Sequence, residues 1–274
     1  MNDRTQTWKS NPSATSTVLP KGATDCHCHV FGPTTRFPFT KTSNYNPADA
    51  PKETLFALHD AMGIERCVIV QSAVHGHDNS VVVDALQARP GRYLGVALVA
   101  PDLSNVALDT LAKQGFRGVR FNYMAHLAPG ATDAELLALA PRLRDRGMHL
   151  QVHMEATMIE TLSATLSNLP VTVVIDHIGR VDASEGISQP AFRALLRLLE
   201  HPNMWCKVSG CERASRLAPS LQRRCATRPY GRGTVWRSRG LGHRLATPKL
   251  PDGSARRRPF IRPSTKNFCK QIYS

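Results

Sequence analysis

His27 and His29 stand one residue apart at the end of an apolar stretch, residues 23–31. In a strand, side chains alternate between the two faces, so both imidazoles point to the same side and Cys26 and Cys28 to the other. The cysteines therefore read as packing residues. Comparable polar groups close other apolar stretches: Arg120 with Asn122, His153 with Glu155, Asp176-His177 followed by Gly179-Arg180, and Lys207 with Ser209. Neutral imidazole is a common metal ligand, and a bound Zn²⁺ brings the pKa of its water to about 7. The guanidinium fork of arginine matches a carboxylate bidentately. Taken singly, His153 reads as a satisfied core histidine, and Arg120 or Arg180 reads equally well as the partner of a nearby carboxylate. His75 and His77 read as solvent-facing loop residues, and Asp176, alternating away from His177, as structural. Four histidines, His27, His29, His153 and His177, at the same end of three apolar stretches read together as a site.

The elements that must position them follow from the hydrophobic pattern. Apolar runs at 23–31, 66–71, 93–99, 118–121, 149–154, 171–178 and 204–209 alternate with helical patterns at 53–62, 79–88, 105–114, 132–146, 158–168 and 189–200. Thr132, with Glu135 three residues on, predicts a capped helix start. Continuous apolar runs alternating with helices predict a parallel sheet covered on both faces. Seven such units in so short a chain predict an α/β fold of the (β/α)₈ TIM-barrel type with strand eight and its helix missing or replaced. The functional residues then lie at the strands' C-terminal ends, where such barrels carry their chemistry.

The chain has 274 residues and a formal charge of +14. Fourteen bases and one acid, Asp252, lie in residues 217–274, so that segment carries +13 and the preceding 216 residues carry +1. The charge therefore describes the tail and is no argument for a nucleic-acid partner of the domain. No apolar run reaches the length of a membrane span. The polar start has no signal-peptide pattern, which predicts a cytoplasmic protein. Seven scattered cysteines do not form a disulfide framework. Three segments result: a mobile arm at 1–20, the incomplete barrel at 21–216, and the basic tail at 217–274.

The ordered motifs Asp25-Cys26-His27-Cys28-His29-Val30-Phe31-Gly32, Arg120-Phe121-Asn122 and Ile175-Asp176-His177-Ile178-Gly179-Arg180 resemble the amidohydrolase superfamily, amidohydrolase-2 branch, and in particular its lactone hydrolases. The resemblance runs from about Gly22 to Arg216, including the Tyr45 region and the loop at 71–79. It implies a TIM-barrel hydrolase that opens a cyclic ester of the pyrone-dicarboxylate kind with water, in the degradation of aromatic compounds. It implies that His27, His29 and His177 are catalytic, meeting a metal or the lactone carbonyl. It also implies that Arg120, Arg180, Tyr45 and Ser72 bind a small carboxylated cyclic substrate. His153 stands where the pyrone lactonases have Tyr and restores the superfamily's usual strand-five ligand. A divalent metal such as Zn²⁺ on His27, His29, His153 and His177 and a metal-free site like that of the pyrone lactonases are both open. His126 stands where those lactonases have Arg, which weakens the case for a dicarboxylate. A decarboxylase of the same superfamily, or a non-catalytic basic binding protein using the tail, are the alternative readings. The sequence sets no oligomeric state and predicts neither a nucleic-acid nor a membrane partner.

The family's strand-eight segment, Gly-Thr-Asp-Trp-Pro-His-Pro, supplies the Asp that activates water, and this chain has none. The tail predicts a shifted reading frame near residues 215–217. Permitted codons for 236–248, read from the second base of each, spell Gly-Asp-Arg-Val-Val-Trp-Gly-Thr-Asp-Trp-Pro-His. The same shift over 218–226 permits Pro-Pro-Tyr-Asn-Asp-Ala-Val-Pro, which also resembles the family. The chain as written is then expected to turn over little or no substrate.

Overall fold

The computed structural model describes residues 4–10, 12, 18–41, 45–127, 129–210 and 214, and the backbone of 234–237 and 244–245. The rest of the tail, with its frame-shift reading, lies outside the described residues.

Seven parallel strands follow one another in the sheet in chain order, β1 Thr24–Cys28, β2 Arg66–Val70, β3 Tyr93–Leu98, β4 Phe116–Tyr123, β5 His149–Met154, β6 Val173–Ile175 and β7 Met204–Val208. Each of the first six precedes a helix: α1 Lys52–Met62, α2 Ser80–Ala88, α3 Asn105–Lys113, α4 Asp133–Arg144, α5 Met158–Asn168 and α6 Pro190–Leu198. This is the curled sheet of a TIM barrel. The apolar strand residues are buried because helices cover one face and the barrel interior the other: Ile69, Val96, Val119, Val152, Val173 and Met204 are all fully buried. Thr132 and Glu135 form the expected capping box at the start of α4.

Among the described residues the run of parallel strands ends at β7. Strand β8, Thr234–Arg237, pairs with β7 antiparallel, and β9, Arg244–Leu245, pairs antiparallel with β8. Among the described residues β1 has no strand on its outer edge, and no parallel eighth strand is present. Interior side chains nevertheless meet across the gap: Lys207 of β7 reaches His27 of β1 at 3.3 Å. At the N-terminus, Thr5 pairs with Pro47 and Arg4 with Asp49 (2.9 Å), which joins this part of the arm to the β1–α1 loop.

Strand β6 stops at Ile175, three residues short of the predicted run. The chain turns there because His177, Ile178, Gly179 and Arg180 all have positive φ, between 52° and 57°. A β-branched residue such as Ile178 rarely adopts this conformation, and each such non-glycine residue costs on the order of 1–3 kcal/mol. The strain sits in the segment that presents His177 and Arg180.

Candidate active site

The site is built on the inward-facing residues of β1, β4, β5 and β7 and on the turn after β6. Asp176 is its centre, fully buried. Arg120 Nε donates to Asp176 Oδ2 at 2.8 Å and Gln151 Nε2 donates to the same oxygen at 2.9 Å. Lys207 Nζ donates to Gln151 Oε1 at 2.8 Å and lies 3.5 Å from Asp176 Oδ1. Burial opposes the Asp176 charge, but Lys207 and Arg120 outweigh it and hold the carboxyl well below the usual carboxylate range. Asp176 is thus ionised between two cations. Its alternation away from His177 is lost because the strand ends at Ile175 and the chain turns at His177. The expectation that it is only structural is corrected to this extent: it organises the polar floor of the site.

The four histidines stand over that floor. Ring centroids are 5.1 Å apart for His27 and His29, 4.7 Å for His27 and His177, and 5.7 Å for His153 and His177. His29 Nδ1 lies 2.7 Å from the Val70 carbonyl oxygen, His153 Nδ1 3.1 Å from Asn122 Oδ1, and His177 Nδ1 2.9 Å from Ser209 Oγ. A carbonyl oxygen only accepts, so His29 carries its proton on Nδ1 and a lone pair on Nε2; the Asn122 oxygen sets His153 the same way. Burial, then the Arg120 charge, depresses His29 to about 4 and His153 to about 3. His27 is also depressed, by burial and then by Lys207. His27, His29 and His153 are therefore neutral imidazoles at neutral pH. Behind them, Asp25 accepts from the His27 backbone N–H (2.9 Å) and faces His59 Nε2 at 3.3 Å, while His59 Nδ1 meets the Tyr93 hydroxyl at 2.7 Å. This buttress holds β1 from outside the barrel.

Of the other predicted residues, Arg120 is brought into the cluster. Arg180 is exposed at its rim, close enough for its charge to act on His153. Ser72 accepts from Val74 N–H and caps the turn Ala73–His75. Tyr45 is 41% exposed on the β1–α1 loop. His126 and His77 are exposed, but His75 is buried, its Nδ1 facing the Pro38 carbonyl at 3.3 Å, which corrects its solvent-facing reading. Cys26 and Cys28 do pack away from the site, and Cys28 Sγ lies 3.1 Å from Cys67 Sγ. Lys207 reads from the sequence only as a polar residue at the end of its strand, and Gln151 received no role. A usable signal existed: His149, Gln151 and His153 alternate on β5, and Lys207 and Ser209 on β7, so counting back by two from the rim reaches both. Gly118 belongs to the same layer, since a Cβ there would lie 2.5 Å from the His149 ring.

His27, Asp176 and His177 offer ligand atoms that all lie within 4.8 Å of one another, so groups able to hold a metal ion do lie together. The donor chemistry divides them. The Nε2 lone pairs of His29 and His153 suit a divalent cation, whereas the Asp176 side already faces an ammonium and a guanidinium.

Residues 24–238 match the amidohydrolase family of the amidohydrolase-2 type. The chain belongs to that family. It is 42% identical over 213 residues to the 2-pyrone-4,6-dicarboxylate hydrolase of Comamonas testosteroni, covering 77% of this chain and 70% of that one. It is 39% identical over 206 residues to the 4-sulfomuconolactone hydrolase of Hydrogenophaga intermedia, covering 75% and 68%. A crystal structure from Acinetobacter baumannii, described as a probable 2-pyrone-4,6-dicarboxylic acid hydrolase with citric acid bound, superposes with a TM-score of 0.68 at 27% identity, covering 75% of this chain and 77% of that one. Among the described residues no helix is long and apolar enough to cross a membrane.

Proposed function

We propose that this amidohydrolase is built to hydrolyse a carboxylated lactone. The observation that carries the reading is the cluster of four imidazoles over the Arg120–Asp176–Lys207 floor. One anion among two cations leaves the floor with a net positive charge, which suits an anionic ester and the negative charge that develops on its carbonyl oxygen. The two similar hydrolases named for lactones and the relative holding citrate, a tricarboxylate, support that substrate class. Arg180 at the rim, with Tyr45 and Ser72 on neighbouring loops, binds the substrate's carboxylates, and His27, His29 and His177 surround the reacting carbonyl. A divalent metal such as Zn²⁺, bound within the cluster of His27, His29, His153 and His177, would polarise the carbonyl and lower the pKa of a water.

The sequence lacks the strand-eight Asp segment to which the family resemblance assigns water activation. Asp176 is held ionised by its cations and is a poor base. Asp252, the one acid of residues 217–274, lies outside the described residues. The domain therefore binds and orients, and turnover waits on the strand-eight carboxylate. Calorimetry with 2-pyrone-4,6-dicarboxylate and 4-sulfomuconolactone tests the reading. Binding of at least one, abolished by Arg180→Met together with His29→Asn, is the expected result. Release of CO₂ from a bound acid would replace it with a decarboxylase.

A further inference from the structure

Within the histidine cluster His27 differs from its neighbours. Its Nδ1 is 3.3 Å from Lys207 Nζ, and its Nε2 is buried with no hydrogen-bond partner. An ammonium has three donors and no lone pair, so His27 Nδ1 must accept. A neutral imidazole that accepts at Nδ1 carries its proton on Nε2. His29, two residues along the same strand, has the reverse arrangement because Nδ1 donates to Val70. The orientation of Lys207 is itself determined. Gln151 Nε2 donates to Asp176 Oδ2, which turns Gln151 Oε1 to the ammonium. Flipping the amide would set oxygen against carboxylate and amide N–H against ammonium. Asp176 Oδ1, 3.5 Å from both His27 Nδ1 and Lys207 Nζ, is the competing acceptor for a proton on His27 Nδ1.

We infer that Lys207 is a positioning residue: its ammonium holds His27 in the Nε2–H tautomer, so that this otherwise unpaired N–H is aimed at the substrate's carbonyl oxygen. The last clause rests on the lactone reading; the tautomer does not. The built-in cation also sets His27 apart as a metal ligand, since a ligating Nε2 must give up its proton. The groups facing His27 are Lys207, Asp176, His29 and His177, with Arg120 beyond Asp176.

Long-range ¹H–¹⁵N correlation on the full, uniformly labelled chain reads each tautomer, with His27 assigned by its absence in His27→Asn. The expected pattern is Nε2–H for His27 and Nδ1–H for His29. In Lys207→Met the His27 proton should move to Nδ1, where Asp176 accepts it, and Lys207→Arg should keep the original pattern. A wild-type His27 protonated on Nδ1 overturns the inference even if Lys207→Met fails to fold. So does an unchanged tautomer in a folded Lys207→Met, or a His27 signal that moves to Nδ1–H when Zn²⁺ is added. In a chain that turns over, Lys207→Met should lower kcat about a hundredfold, the size of one lost oxyanion donor, with KM little changed and Lys207→Arg restoring part. A loss confined to KM overturns the aimed N–H. Absence of lactone binding in calorimetry with the tautomers as stated would reject the lactone reading and leave the Lys207 role standing.

Discussion

The domain and the tail of this chain obey different rules. In residues 1–216, bases and acids balance to +1, and apolar runs recur with the spacing of strands and helices; in 217–274, fourteen bases face one acid. The first region builds seven parallel strands in chain order, whereas the next described strand, Thr234–Arg237, runs antiparallel. Parallel pairing requires a crossover element that covers the sheet, and this comes from a patterned sequence. Residues 217–274, with their one-sided charge, carry no such pattern in their sequence. The contrast teaches that the barrel's binding side is locally encoded strand by strand: the histidines stay together although the described residues hold no parallel eighth strand.

Repairing the second region should have the largest effect. A chain with the frame shifted near residues 215–217 regains the Gly-Thr-Asp-Trp-Pro-His segment, and its lactone turnover should exceed that of the present chain by about 10²–10⁴, the range for a positioned general base. Equal rates in a spectrophotometric ring-opening assay would show that the tail is not the defect, as would a gene with one intact frame across codons 214–218.

Damage to the first region comes next. Asp176→Asn leaves Arg120 and Lys207 buried without their anion, and the chemical-denaturation free energy should fall by about 3–5 kcal/mol. A loss below 1 kcal/mol would mean the floor is solvated.

Acid should act on the histidines before the carboxylate. His29 and His153 are depressed in the folded state to about 4 and about 3, so the unfolded chain binds more protons below its ordinary histidine pKa. Their contribution to stability is present above about pH 6.5 and is lost as pH falls toward 4. Asp176, also depressed, keeps its contribution until the pH drops below the ordinary carboxylate range. Denaturation midpoints should therefore decline between pH 6.5 and 4, and less steeply in His29→Asn. A flat profile there would place both imidazoles in water.

The smallest effect tests the local encoding itself. Thr132→Ala removes the α4 cap and should cost about 1 kcal/mol, with substrate binding unchanged. A change in lactone affinity would tie the helix start to the site.

The sequence by itself determined the alternation of strands and helices, the Thr132–Glu135 cap and the inward pair His27 and His29. Each depends on spacing along the chain or on local charge, and spacing is visible without contacts. Only the tertiary structure decided that Asp176 is the centre of the site, because the turn after Ile175 breaks the alternation that had sent it outward. Only the structure joined Lys207 to His27, 180 residues away, and so assigned opposite tautomers to two histidines of one motif. A proton's place on a ring is set by whichever donor or acceptor the fold brings to its far nitrogen, and that information lies in no single strand.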